Sequence, residues 1–406
     1  MKRREFLCNL TKGLTLCALP GLSISQSNKS QVQKSTMSTK TITLFLCGDV
    51  MTGRGIDQIM PHRSDPKLFE PSVRDAREYV ELAERTNGPI PRPVDFAYIW
   101  GDALTAFQRM APDARIINLE TSVTTSDTHW PGKGIHYRMH PKNIPCLTAA
   151  DIDCCVLANN HILDWGYQGL SETLETLHRA NIQTSGAGNN HEQADAPAII
   201  EVAEHSRVMV FSYGMQSSGV PYEWAAGSDK PGVNLLPGLL KITLQQTVGH
   251  IQALKQTGDI VVASIHWGGN WGYHIPDEHI QIAHGLIDSA GVDVVHGHSS
   301  HHPIGIEVYN NKPILYGCGD FLNDYEGISG YERYRDDLAL MYFVRLEPQT
   351  GKLNSLEMVP TQIKRFRSHR ASQEDAHWLQ KTLDRECKKF GVRVDLSQDQ
   401  TLVLNW

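Results

Sequence analysis

The sequence predicts an α/β protein in which helices cover layered sheet. Three observations carry that expectation. Short apolar runs rich in β-branched residues alternate along the chain with longer runs of helical period. Several of those short runs end in a carboxylate, an amide or an imidazole. The composition, 40% hydrophobic and 20% charged over 406 residues, supplies a sizeable core and excludes disorder as the default.

The segments TITLFLCG (41–48), ARIINLE (114–120), DCCVLANN (153–160), RVMVFSYG (207–214), DIVVASIHWG (259–268) and VDVVHGH (292–298) read as buried strands. Between them the periodicity predicts helices over 70–86, 95–111, 166–180, 236–257 and 277–290. That alternation places helices over a central sheet. Beyond residue 303, PIGIEVY, KPILYGCGDF and DLALMYFVRLE read as further strands and predict a second sheet. Residues 353–362 and a helical pattern over 372–390 close the chain. The expected organisation is a leader and linker over 1–40, a main domain over 41–347, and a C-terminal extension over 348–406 packed on it.

The first residues have a different character. Lys2, Arg3 and Arg4 precede a modestly apolar run and then a Ser/Gln/Lys-rich stretch, the layout of an export signal with a linker. Arg3-Arg4 followed by Phe6-Leu7 resembles the twin-arginine type, which places the mature protein outside the cytoplasm. No later stretch approaches the roughly 20 apolar residues of a membrane span. The formal net charge of −7 argues against nucleic acid as a partner. The cysteines after the leader show no repeated spacing, and buried thiols are expected rather than a disulfide framework.

The chemistry gathers at strand ends. The first strand closes on Asp49, the second on Asn118 and Glu120, the third on Asn160, His161 and Asp164. The run 259–265 closes on His266, and 292–296 opens into HGHSSHHP, with His296, His298, His301 and His302. In open α/β sheets ligands bind at that edge. Carboxylates, an amide and imidazoles suit borderline divalent metals such as Zn, Mn, Fe or Co, and the absence of a thiol from the set disfavours a soft structural zinc site. Arg54 and Arg138 are candidates for holding an anionic group, because guanidinium matches phosphate and carboxylate geometry. Trp130, Tyr137, Trp165, Trp267, Trp271 and Tyr273 crowd the same edge, as a platform for a polymer chain or as packing of the rim.

The motifs GDVMTGR, INLETSVT, ANNHILDWG, IHWGGNW and GHSSHHPIGIEVYNNKPILYGCGDF resemble the calcineurin-like metallophosphoesterase superfamily. More closely they resemble the CapA family of poly-γ-glutamate capsule biosynthesis, over about residues 41–346. The resemblance implies a layered α/β/β/α sandwich and one or two divalent ions, with Mn, Zn or Fe the candidates. It implies Asp49 and His301 as ligands of a first ion and Asn160, His266 and His298 as ligands of a second. Glu120 stands where the bridging Asp usually stands. His161 corresponds to the imidazole facing the substrate, with Asp164 placed to orient it. Met51 stands where the superfamily has a histidine. His302 is expected in a supporting position and His296 as an ordinary strand residue. The implied substrate is an anionic envelope polymer or its phosphorylated precursor, met with a membrane-bound synthesis machinery. Two functions stay open: a metal-dependent hydrolase of phosphoester type, and a non-catalytic, metal-stabilised component that binds or exports the polymer.

Overall fold

The computed structural model describes residues 41–202, 206–238 and 241–406. The expected leader and linker over 1–40 lie outside them. Strands form where the apolar, β-branched runs stand. They are β1 (Ile42–Val50), β2 (Ala114–Leu119), β3 (Cys154–Val156), β4 (Gln183–Ser185), β5 (Ala198–Val202), β6 (Ser206–Gly214), β7 (Ile260–His266) and β8 (Val294–His298). There follow β9 (Ile306–Tyr309), β10 (Lys312–Leu315), β11 (Asp320–Leu322), β12 (Leu338–Leu346), β13 (Leu353–Lys364), β14 (Arg367–Arg370), β15 (Arg393–Leu396) and β16 (Leu402–Asn405). The principal helices are α1 (Arg77–Asn87), α2 (Ala103–Met110), α3 (Gly166–Arg179), α4 (Lys241–Leu254), α5 (Asp277–Ala290) and α6 (Gln373–Cys387).

The strands build two large sheets. The first has ten strands in the order β15-β16-β13-β12-β1-β2-β3-β4, with β11 beside β1 and β14 beside β13. From β1 to β4 the pairing is parallel; β1 meets β12 and β12 meets β13 antiparallel. The second has six strands in the order β9-β10-β8-β7-β6-β5, parallel from β10 to β6.

Side-chain alternation along each strand then produces three apolar layers. Leu44 and Leu46 of β1 meet Val210, Val262 and Val294 of the second sheet in a core between the sheets, which Leu379 and Leu383 of α6 also join. Phe45 and Cys47, one residue out of phase, face the other way and pack with Tyr79, Phe107, Leu170 and Leu177 from α1, α2 and α3. Phe211, Val261 and Val295 pack against Ile251, Ile282 and Leu286 from α4 and α5. The order of layers is helix, sheet, sheet, helix: an α/β/β/α sandwich.

The sheets are partitioned differently from the sequence expectation. The runs 207–214, 259–268 and 292–298, read as part of one central sheet, form the heart of the second. Of the strands beyond residue 303, only β9 and β10 join them, and β11 to β16 return to the first sheet. Buried parallel strands are apolar on both faces, so their composition does not say which sheet they join. The helical run 95–111 is interrupted at Gly101, whose φ of 45° closes a 3₁₀ turn over Tyr98–Trp100 before α2 begins. α1 starts only at Arg77, since Lys67 and Asp75 pair across the preceding loop. The six cysteines among the described residues are free and buried.

Candidate metal centre

Strand polarity assembles the site. β1, β2 and β3 run parallel in one sheet, β7 and β8 in the other, and their C-terminal ends converge. β1 carries an irregularity between Leu46 and Asp49, where β11 approaches. A Cβ on Gly48 would stand 1.5 Å from the Gly319 carbonyl oxygen, so only glycine admits this approach. It brings Asp320, at the head of β11, opposite Asp49.

Asp49 lies at the centre. Asn118 Nδ2 donates to its Oδ1 at 2.7 Å, and the Ser299 backbone N–H donates to Oδ2 at 3.2 Å. Its carboxylate belongs to two groups whose donor atoms lie within 4.8 Å of one another: Asp49, His266 and His298 on one side, Asp49, His301 and Asp320 on the other. His298 Nδ1 is 2.8 Å from His266 Nδ1 and 3.9 Å from Asp49 Oδ1. His301 Nδ1 is 2.8 Å from Asp320 Oδ1. Glu120 Oε1 lies 3.7 Å from both His266 Nε2 and His161 Nε2, and Asn160 Oδ1 is 3.1 Å from His266 Nε2. The carboxylate shared between the two groups is Asp49; Glu120 lines the pocket wall nearer His161 and His266.

A divalent cation fits this arrangement. Glu120 Oε2 is buried without a hydrogen-bond partner, which a carboxylate tolerates only where something else compensates it. Burial raises the Asp49 pKa to about 7, and Asp320 beside it pushes the same way. Burial, then Asp49, drives the Glu120 pKa well up. Burial and the neighbouring imidazoles push the pKa values of His266 and His298 well down. For His301, burial pulls the pKa down, but Asp320 and Asp49 together outweigh it and the pKa is raised. Carboxylates that resist ionising together and imidazoles that resist protonation are relieved by one species, a bound cation.

Beside this centre stands a triad. His161 Nδ1 is 2.7 Å from Asp164 Oδ2, and Lys133 Nζ is 2.5 Å from Asp164 Oδ1 and 2.9 Å from His161 Nδ1. The Tyr137 backbone N–H also donates to Asp164, at 2.7 Å. Burial lowers the His161 pKa to about 4 against the pull of Asp164, and the Lys133 charge lowers it further.

The structure brings together Asp49, Glu120, Asn160, His161, Asp164, His266, His298 and His301. It does not bring the two arginines to the pocket as anion holders. Arg54 is 4% exposed and spent on Asp324, which it grips with Nε and Nη2, and on Glu70 and Tyr79 through Nη1. Its guanidinium lies 4.6 Å from the centre of the Tyr137 ring, which in turn meets the His161 ring. Arg138 is 6% exposed, donates to the Ser126 and Asp65 carbonyls and pairs with Asp127, and stacks on Trp165 at 3.9 Å. Met51 is buried against the Tyr325 hydroxyl. His302 accepts from the Gly272 N–H and stacks on Tyr334. Trp165 and Trp267 are buried packing residues that donate to backbone carbonyls, while Trp271 stacks on Tyr331 and meets the His301 ring.

Sequence reading missed two participants. Asp320 stands in the segment GCGDF, where the cue was an acidic residue opening an apolar strand. Lys133 sits in a loop between Gly132 and Gly134, with no periodicity to mark it.

A four-layer sandwich with a buried carboxylate–imidazole centre at the joined strand ends defines a layered α/β protein whose pocket is compatible with a divalent metal. Residues 43–325 match the family described as "Bacterial capsule synthesis protein PGA_cap", and the chain belongs to that family. The resemblance to CapA proteins read from the motifs is thus borne out. The chain is 49% identical, over 89% of its length and 95% of the relative's, to the "Probable polyglutamine synthesis accessory protein" of Mycobacterium tuberculosis H37Rv. It is 28% identical, over 83% of its length and 76% of the relative's, to the "PGA biosynthesis protein CapA" of Bacillus subtilis. A solved structure described as a novel phosphatase of Mycoplasma pneumoniae aligns at 10% identity with a TM-score of 0.42, covering 79% of this chain and 94% of that one.

Proposed function

We propose that the protein is a metal-dependent hydrolase of phosphoester type, accessory to synthesis of a polyglutamate-type capsule polymer. The observation that carries this reading is the Asp49 carboxylate shared between two donor groups, with His161 Nε2 facing the same pocket across Glu120. Two divalent ions of the Mn, Zn or Fe class, held by His266 and His298 on one side and His301 and Asp320 on the other, would supply charge that stabilises the transition state of hydrolysis. The chain's own residues do the rest. Asp164, ionised and held by Tyr137 and Lys133, accepts Nδ1–H of His161. That leaves Nε2 bare, so that it would accept a proton from the attacking water and pass it to the leaving oxygen. Glu120 and Asn160 stand beside His266 on the same side of the centre.

Names of the relatives support a role beside a polymer-synthesis machinery, with the anionic polymer or a phosphorylated precursor as ligand. Export is supported by the basic twin-arginine pattern of the first residues, and by buried cysteines that a chain folded before export keeps reduced. A second reading, a metal-stabilised component that binds the polymer without cleaving it, is favoured by Met51 in place of an imidazole and by arginines already engaged inside the protein.

Hydrolysis of a panel of generic phosphoesters by the Mn-loaded protein separates the two. The hydrolase reading expects turnover that falls at least 100-fold in His161→Ala with metal content unchanged. A fully loaded wild type that hydrolyses nothing across the panel overturns it in favour of the binding component.

A further inference from the structure

His296 was expected to be an ordinary strand residue, yet it is fully buried between the sheets with both ring nitrogens engaged. The parallel register of β7 and β8 sets Ser264 opposite His296 and His266 opposite His298. With a side-chain period of two, all four fall on one face of the sheet. Four contacts link them in a line. His296 Nε2 lies 2.7 Å from the Cys47 carbonyl oxygen, and His296 Nδ1 lies 3.0 Å from Ser264 Oγ. Ser264 Oγ lies 2.9 Å from His298 Nε2, and His298 Nδ1 lies 2.8 Å from His266 Nδ1.

The direction of every bond in this line follows from its first member. A backbone carbonyl only accepts, so His296 Nε2 carries the proton. No carboxylate among the described residues contacts the His296 ring, and a buried imidazole without a counter-charge is neutral. Its Nδ1 is therefore bare and accepts from the Ser264 hydroxyl. The hydroxyl, with its one proton committed, accepts from His298 Nε2–H. His298 Nδ1 is then bare, and it faces His266 and Asp49.

We propose that Ser264 and His296 are positioning residues that fix the tautomer of His298 by a hydrogen-bond line anchored on the Cys47 carbonyl, so that its bare Nδ1 faces the centre. The proposal rests on the metal reading of the site. It accounts for the first of the four histidines in HGHSSHHP, because a metal ligand needs its far nitrogen bonded in a defined sense. Such outer partners set ligand orientation and basicity.

The test uses the full-length, uniformly ¹⁵N-labelled protein, stripped with chelator and then titrated with Zn²⁺ alone. Side-chain ¹⁵N shifts, with His298 assigned by comparison with His298→Gln, separate protonated from bare ring nitrogens. The stripped wild type is expected to show protonated Nε2 and bare Nδ1 at both His296 and His298. Ser264→Ala and His296→Phe, their folding checked by thermal denaturation, are expected to bind Zn²⁺ about 10- to 100-fold more weakly, while Ser264→Thr, which keeps the hydroxyl, stays near wild type. A proton on His298 Nδ1 in the stripped wild type overturns the proposal, as does unchanged Zn²⁺ affinity in both variants. A wild type that takes up no Zn²⁺ overturns the metal reading instead, and the ¹⁵N pattern then still decides the hydrogen-bond line.

Discussion

Lys133 Nζ lies 2.5 Å from Asp164 Oδ1, a carboxylate whose side chain is wholly buried. Removing one partner of a buried pair leaves the other charge uncompensated, at a cost of about 3–5 kcal/mol. Asp164 keeps the Tyr137 N–H and His161, so the lower end applies. Lys133→Met is expected to lose about 3 kcal/mol of stability in urea denaturation. A loss indistinguishable from zero would show that the ammonium is not held there in solution.

Asp49 belongs to both donor groups, whereas His298 and Asp320 belong to one each. Elemental analysis of purified protein should therefore separate them. Asp49→Ala is expected to lose all bound metal. His298→Ala and Asp320→Ala should each lose one ion and keep the other. Unchanged metal content in all three variants would dismiss the centre altogether.

Arg54 is clamped between Asp324 and Glu70, all three buried. Replacing it by Met leaves two buried carboxylates without their cation, at a cost of about 3–5 kcal/mol. The variant is expected to be strongly destabilised, yet where folded to bind inorganic phosphate as the wild type does. Weaker phosphate binding at unchanged stability would return Arg54 to the role of anion holder.

Asp57 accepts N–H groups from Ser64 and His140 and Nδ2–H of Asn143, yet burial still pushes its pKa to about 6 from an ordinary 3.8. Between those values the folded chain holds a proton that the unfolded chain lacks. A raised folded pKa means a contribution fully present below the unfolded value and lost as pH rises through about 6. The whole effect is worth about 3 kcal/mol. Asn does not titrate, so the stability deficit of Asp57→Asn is expected to shrink by up to that amount between pH 4 and pH 7. Denaturation at both pH values measures it, and a deficit that widens with pH contradicts the sign.

Much of the centre was legible because most of its residues stand at the end of an apolar run, and α/β alternation fixes which end of a strand meets its neighbours. Asp49, Glu120, Asn160, His266 and His298 follow from that rule. Asp320 does not, because its strand has three residues and its place depends on β11 settling beside β1. The cage around Arg54 was hidden for another reason. Asp324 lies 270 positions away, and a charge pairing across that distance leaves no local pattern. The aromatic edge was legible as a cluster only, since stacking partners such as Tyr331 for Trp271 come from separate loops.

The core between the sheets is made almost wholly of aliphatic side chains. Such faces resist being pulled apart, but non-directional contacts oppose sliding only weakly. Directional ties between β1 and the second sheet or the loop after β8 gather at one end: His296 to the Cys47 carbonyl, and the Ser299 N–H to Asp49. An ion gripped by Asp49 from one sheet and by His266 and His298 from the other would act there as a rivet against shear. Its arrival should then be readable far from the pocket, as slower amide exchange along β6 and β12.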